Sequence, residues 1–222
     1  MFQSIIFKEW LKIRVPVLIS VLTGLIFSLD LYYGLYRGVE LSTTKDFWYT
    51  ILFNRISWYS HLKVIPVLIA LLISIAQFYP EIFDKRLKLT LHLPVRENKI
   101  LLQMIGFGSA AMLLIFTMMF ALFLFISRHF LPSNLVYPGA VTIVPWFLAG
   151  ITVYFLVAFI VLEPVWKFRI AYAIVGIHIV AIYLLDAGMG AYQPAIHTLV
   201  LITGLSSLSV FYSAYRLRKG KR

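Results

Sequence analysis

Residues 100 to 127 contain no charged side chain. At ~1.5 Å of helical rise per residue, a run of that length outreaches the ~30 Å hydrocarbon layer of a bilayer. A chain carrying it must either hide it in a very large core or place it in lipid. With 222 residues, of which 61% are apolar and 13% charged, the first option fails, because water-soluble domains carry about a quarter charged residues and cannot enclose so much apolar surface. The chain contains no cysteine, which excludes disulfides and Cys-based zinc or iron–sulfur sites.

Five further apolar runs flank the first. Reading them together predicts an all-α membrane protein with an N-terminal interfacial helix over 1–13 and spans over 15–33, 62–79, 100–127, 141–162, 170–186 and 195–213, forming one transmembrane domain. The N-terminal segment MFQSIIFKEWLKIR gathers Ser4, Lys8 and Lys12 on one side and Phe2, Ile6, Trp10 and Ile13 on the other, as an interfacial helix does. It lacks a small-residue cleavage pattern and so does not read as a signal peptide. Residues 47–63 mix Trp48, Tyr49, Trp58 and Tyr59 with Asn54, Arg55 and His61, which suits an interfacial helix or an outer extension of span two. Pro145 is expected to start or bend span four. Gly106, Gly108, Gly150 and Gly176 are expected to permit close helix crossings.

Six spans put both termini on one side. The segments grouped with the termini hold fifteen of the twenty Lys and Arg and a net charge of +10, leaving +1 for the opposite loops. Under the positive-inside rule both termini face the cytoplasm of a cell's inner membrane, and anionic lipid accounts for the +11 total without a nucleic-acid partner.

The segment FYPEIFDKRLKLTLHLPVRENKI, residues 78–100, is too charged to enter lipid. Glu81, Asp84, Lys85, Arg86 and Lys88 alternate with Ile82, Phe83, Leu87, Leu89 and Leu91, a pattern for a short amphipathic helix that Pro94 interrupts. A surface helix tied to two spans can transmit force from a cytoplasmic partner; an ordinary positively charged topology loop has the same composition.

The order of Glu81, the amphipathic stretch from Lys85 to Leu91 and LPVRENKI at 93–100 resembles the corresponding loop of type-2 ABC exporter permeases. There a Glu after span two precedes a polar helix and a Pro-x-Arg stretch, and a Lys enters span three; Glu81, Pro94, Arg96 and Lys99 match. Asp84 and Lys85 stand where many relatives have a glycine-containing turn, leaving subfamily and partner open. The resemblance implies six membrane helices preceded by an interfacial helix, a coupling helix between spans two and three, and a coupling surface of Glu81, Phe83, Asp84, Arg86, Leu87, Pro94 and Arg96. It further implies two copies of a separate ABC ATPase, which carry the ATP and Mg, and a second copy of this permease or a related one. This chain has no GxxxxGK[ST] loop, so it is expected not to be an enzyme itself and to hold no cofactor.

Glu163 and Trp166, in the turn after span four, offer a second partner contact or, for Trp166, a headgroup anchor. Asp30 and Asp186, at the outer ends of spans one and five, are candidates for a translocation path, and so is His178, which sits midway along span five and is expected to face another helix or a wet cavity. No HExxH or GxSxG pattern marks a metal site or nucleophile. Two other readings stay open: a secondary transporter or channel using these polar residues, and a membrane scaffold that transports nothing.

Overall fold

The computed structural model describes residues 2–41, 58–83, 97–186 and 188–218. Among them, six helices are long and apolar enough to cross a membrane. These are α1 (Phe2–Tyr36), α2 (Ile65–Phe83), α3 (Glu97–Phe130), α4 (Ser133–Leu162), α5 (Trp166–Tyr183) and α6 (Ile196–Arg218). A π-turn, Arg37–Leu41, extends α1, and 3-10 turns at Ser60–Lys63 and Gln193–Ala195 lead into α2 and α6. The chain is an all-α, multi-pass bundle. Successive passes return it to its starting face, so both termini share one end with the α2–α3 and α4–α5 connections; this is the terminal end, and the other the far end.

Helix α4 is the hub, packed on α2, α3, α5 and α6, while α1 lies against α2 and α3. Of the most apolar stretch of each span, 61% is buried in α4 and 11% in α5, so α4 is core and α5 presents most of its surface outward. Packing of side chains, rather than expulsion of water, holds such helices together in lipid. Aromatic contacts supply much of it at the far end, where fully buried Tyr59 lies 5.8 Å from Phe123 and 5.6 Å from Trp146, ring centre to ring centre. A methyl group on Gly150 would come within 2.8 Å of the Pro66 carbonyl, which fixes glycine at the closest approach of α2 to α4. Gly106, by contrast, faces open space, and Gly176 has only ordinary contact with Leu156.

Several expected boundaries move. The separate interfacial helix over 1–13 is absent: α1 runs unbroken from Phe2 through Pro16 to Tyr36. The polar side that suggested a headgroup-facing surface is turned inward, since Lys12 is 8% and Glu9 0% exposed. Helix α2 continues past Pro80 to Phe83, beyond the expected end at Tyr79. Helix α4 begins at Ser133 instead of 141, and both Pro138 and Pro145 lie inside it; the Pro132 carbonyl starts it by accepting from the amides of Leu135 and Val136. The α4–α5 connection shrinks to residues 163–165, so Trp166 belongs to α5. The expected coupling helix falls largely on residues 84–96, outside the described residues, as do Phe47–Ser57 of the expected interfacial segment.

Candidate functional site: a buried ion network at the terminal end

The first three turns of α1 bring Lys8, Glu9 and Lys12 against the last turn of α2. Lys12 Nζ contacts Oε1 of both Glu9 and Glu81 at 2.5 Å, and Lys8 Nζ lies 2.8 Å from Glu81 Oε1. Both carboxylates are fully buried, and each charge is met by an opposite one, the condition under which ionised groups survive burial. Glu81 Oε2 has no hydrogen-bond partner among the described residues.

From Glu9 the network runs into the membrane. Gln77 Nε2 donates to Glu9 Oε2 at 2.9 Å and to the Met104 carbonyl of α3 at 2.7 Å. Tyr154 of α4 donates its hydroxyl to Gln77 Oε1 at 2.8 Å. Tyr154 sits eight residues before the end of α4, so the chain of bonds reaches ~12 Å inward. Four helices, α1, α2, α3 and α4, thus share one polar network. Gly108 makes room for it: a methyl group there would lie 2.1 Å from Gln77 Oε1 and 2.2 Å from the Tyr154 hydroxyl.

A second buried tie joins α4 to α6. Glu163, fully buried at the end of α4, pairs with Arg216 at 3.0 Å and accepts from Ser213 at 3.2 Å. Deeper still, Thr152 of α4, Tyr183 of α5 and Thr203 of α6 share hydroxyl hydrogen bonds of 2.9 to 3.2 Å.

The far end is built differently. His61 Nδ1 meets Asp30 at 3.0 Å with both side chains largely in solvent, and Lys63 pairs with Asp186 at the surface. His61 and Lys63 both belong to the same 3-10 turn, which therefore clips Asp30, in the last two turns of α1, and Asp186, three residues past α5, to the start of α2. Beside it lies a cavity of about 290 Å³ walled by Tyr59, Thr142, Trp146 and Tyr192, with Lys63 and Asp186 among its lining residues. Burial pushes the phenols of Tyr59 and Tyr192 above their ordinary range; a hydrogen bond with Thr142 opposes the shift at Tyr59, and the Asp186 charge adds to it at Tyr192. Both phenols therefore stay neutral.

The expected site residues are distributed as follows. Glu81 is drawn into the bundle by two lysines instead of standing free on a loop surface, and Phe83, 71% exposed, stacks on Tyr79. Asp84, Arg86, Leu87, Pro94 and Arg96 lie outside the described residues. Glu163 is turned inward to Arg216 and not outward to a partner, whereas Trp166 is exposed with Arg169 5.9 Å over its ring. Asp186 lines a cavity, while Asp30 pairs at the surface outside it. His178 corrects the expectation of an inward-facing histidine: it is exposed on α5, and its Nδ1 is satisfied 2.8 Å away by the Ile174 carbonyl of its own helix. Among the described residues no three His, Cys, Asp or Glu side chains converge as a metal site would need.

The sequence reading missed Glu9, Lys12, Gln77 and Tyr154. Gln77 alone carried a signal, as the one amide in a sixteen-residue apolar run. No family model, no curated protein and no solved structure matches this chain.

Proposed function

We propose that this chain is the membrane-spanning permease subunit of an ATP-driven exporter, in which ATP is hydrolysed by a separate nucleotide-binding subunit. The observation that carries the reading is the position of the buried ion network. Glu81 stands in the last turn of α2, three residues before the 84–96 connection, and is bonded to Lys8 and Lys12. Through Lys12, Glu9 and Gln77 that turn is tied to α1, α3 and α4. A push delivered to the α2–α3 connection by a protein outside the membrane then moves four spans together. Buried, interlinked polar groups suit this role, because they shift between discrete arrangements rather than deforming continuously.

In this reading the surface that meets the ATPase comprises Phe83 and the 84–96 connection, with Trp166 beside it, and Glu81 acts one step inward. Two ATPase copies and a second permease subunit complete the assembly. Both termini face the cytoplasm of an inner membrane, since fifteen of twenty basic residues belong to the terminal end. This chain supplies movement and no catalysis.

A second reading, a transporter driven by an ion gradient, is favoured by the Asp186-lined cavity at the far end. The two separate in one experiment. The tagged chain, extracted from its own membranes in mild detergent and moved to lipid discs, is expected to retain an ATPase subunit whose hydrolysis changes on Glu81→Gln. An ATPase-free preparation that moves solute down an ion gradient in vesicles overturns the first reading and supports the second.

A further inference from the structure

Two cavities open on the outward side of the bundle between α2, α4 and α5. The one nearer the terminal end measures about 600 Å³ and is lined by Tyr79, Phe83, Trp166 and Arg169 among others. The other, about 400 Å³, runs deeper, is almost wholly apolar and ends at Leu184. Ile160 and Ala173 line both, so the two adjoin end to end along one furrow. From Arg169 to Leu184 along α5 is ~22 Å, more than the ~15 Å that is half of the hydrocarbon layer.

The mouth of this furrow is equipped for charge. Arg169 Nε donates to the Glu163 carbonyl at 2.7 Å and one terminal nitrogen to the Val161 carbonyl at 3.3 Å. Those backbone bonds fix the guanidinium in place without neutralising it. The Glu163 carboxylate, in the adjoining connection, is committed to Arg216, and no salt bridge links Arg169 to any described acid. Exposed Tyr79, Phe83 and Trp166 surround the mouth, residues of the kind that sit at headgroup level.

We infer that this furrow is a binding site for one anionic phospholipid of the leaflet at the terminal end, its phosphate on Arg169 and an acyl chain laid past Ala173 toward Leu184. The occupant is chosen by charge complementarity: a fixed, unneutralised cation at the surface continues directly into an apolar channel of acyl length. The site stands whether or not the chain works with an ATPase.

The test uses the full chain in discs of phosphatidylcholine with one-fifth phosphatidylglycerol, released into native mass spectrometry. Wild-type protein is expected to retain one phosphatidylglycerol in preference to phosphatidylcholine. Arg169→Gln lowers that preference about fivefold, the value of one basic residue at a membrane surface. Arg169→Lys keeps most of it, and Ala173→Phe, which plugs the junction of the two cavities, removes retained lipid of either kind. Should Arg169→Gln fail to fold, Arg169→Lys and Ala173→Phe decide. Equal retention of the two lipids by wild-type protein overturns the inference. So does full cross-linking of Ile177→Cys between copies in the membrane, which would show a second copy covering the furrow; the chain has no cysteine of its own to confuse that result.

Discussion

The two ends of the bundle hold the same kinds of ion pair and use them differently. At the terminal end Glu9, Glu81 and Glu163 are all fully buried, and their lysine and arginine partners hold four or more helices in a shared arrangement. At the far end Asp186 is 97% exposed and Asp30 58%, so water and salt screen both pairs. Burial decides the difference. Breaking a buried pair strands a charge with nothing to replace its partner, whereas an exposed pair surrenders little because water takes over. The proposed role, in which the bundle is driven from one end, calls for stiff linkage there and compliance at the other.

This contrast is sharpest at Lys12. Replacing it with Met leaves Glu9 and Glu81 facing each other without a shared cation, and the loss in unfolding free energy in detergent micelles is expected to be about 3–5 kcal/mol. Adding Glu9→Gln and Glu81→Gln to that variant is expected to recover a large part of the loss, because the stranded charges go with the cation. Gly108→Ala comes next. Its methyl group drives Gln77 and Tyr154 apart, which is expected to cost about 1–3 kcal/mol in the same measurement. Thr152→Val removes one member of the α4–α5–α6 hydroxyl cluster, and hydrogen bonds between membrane helices average about 0.6 kcal/mol. Asp186→Asn, at the far end, is expected to leave the unfolding midpoint where it was, and an effect as large as that of Lys12→Met would erase the distinction between the ends. Smallest of all is His178→Ala: the ring bonds only its own helix, so neither unfolding nor the pH dependence of any solute flux is expected to change.

Six spans were legible from residues 1 to 222 because a charge-free run long enough to cross lipid has few alternative explanations. The ends of the helices were not. Charged residues mark boundaries only when they face water, and Glu9, Lys12 and Glu81 are charges that fold inward onto one another. Their pairing spans about seventy residues of chain, as Lys12 to Glu81 illustrates, and no local pattern announces it. Neither Pro80 nor Pro145 marks a helix end: Pro80 lies inside α2, and Pro145, expected to start or bend its span, lies inside α4. His178 misled in the opposite direction. A midspan histidine reads as buried, yet α5 is the least enclosed helix and its own backbone supplies the hydrogen bond. Glu81 was singled out in the sequence for a contact with a partner; what the structure shows of it is the inward pairing with Lys8 and Lys12.

The central claim is that the buried network at the terminal end carries motion into the spans. It is tested most directly by spin labels at Leu29→Cys and Leu68→Cys, exposed far-end positions on α1 and α2 in a chain free of other cysteines. Their separation would be measured by pulsed electron resonance in the complex with the proposed ATPase, with and without trapped ATP. The account predicts a distance change on ATP trapping that Lys12→Met abolishes while the ATPase stays bound. An identical change in the Lys12→Met protein, or no change in either, would contradict it.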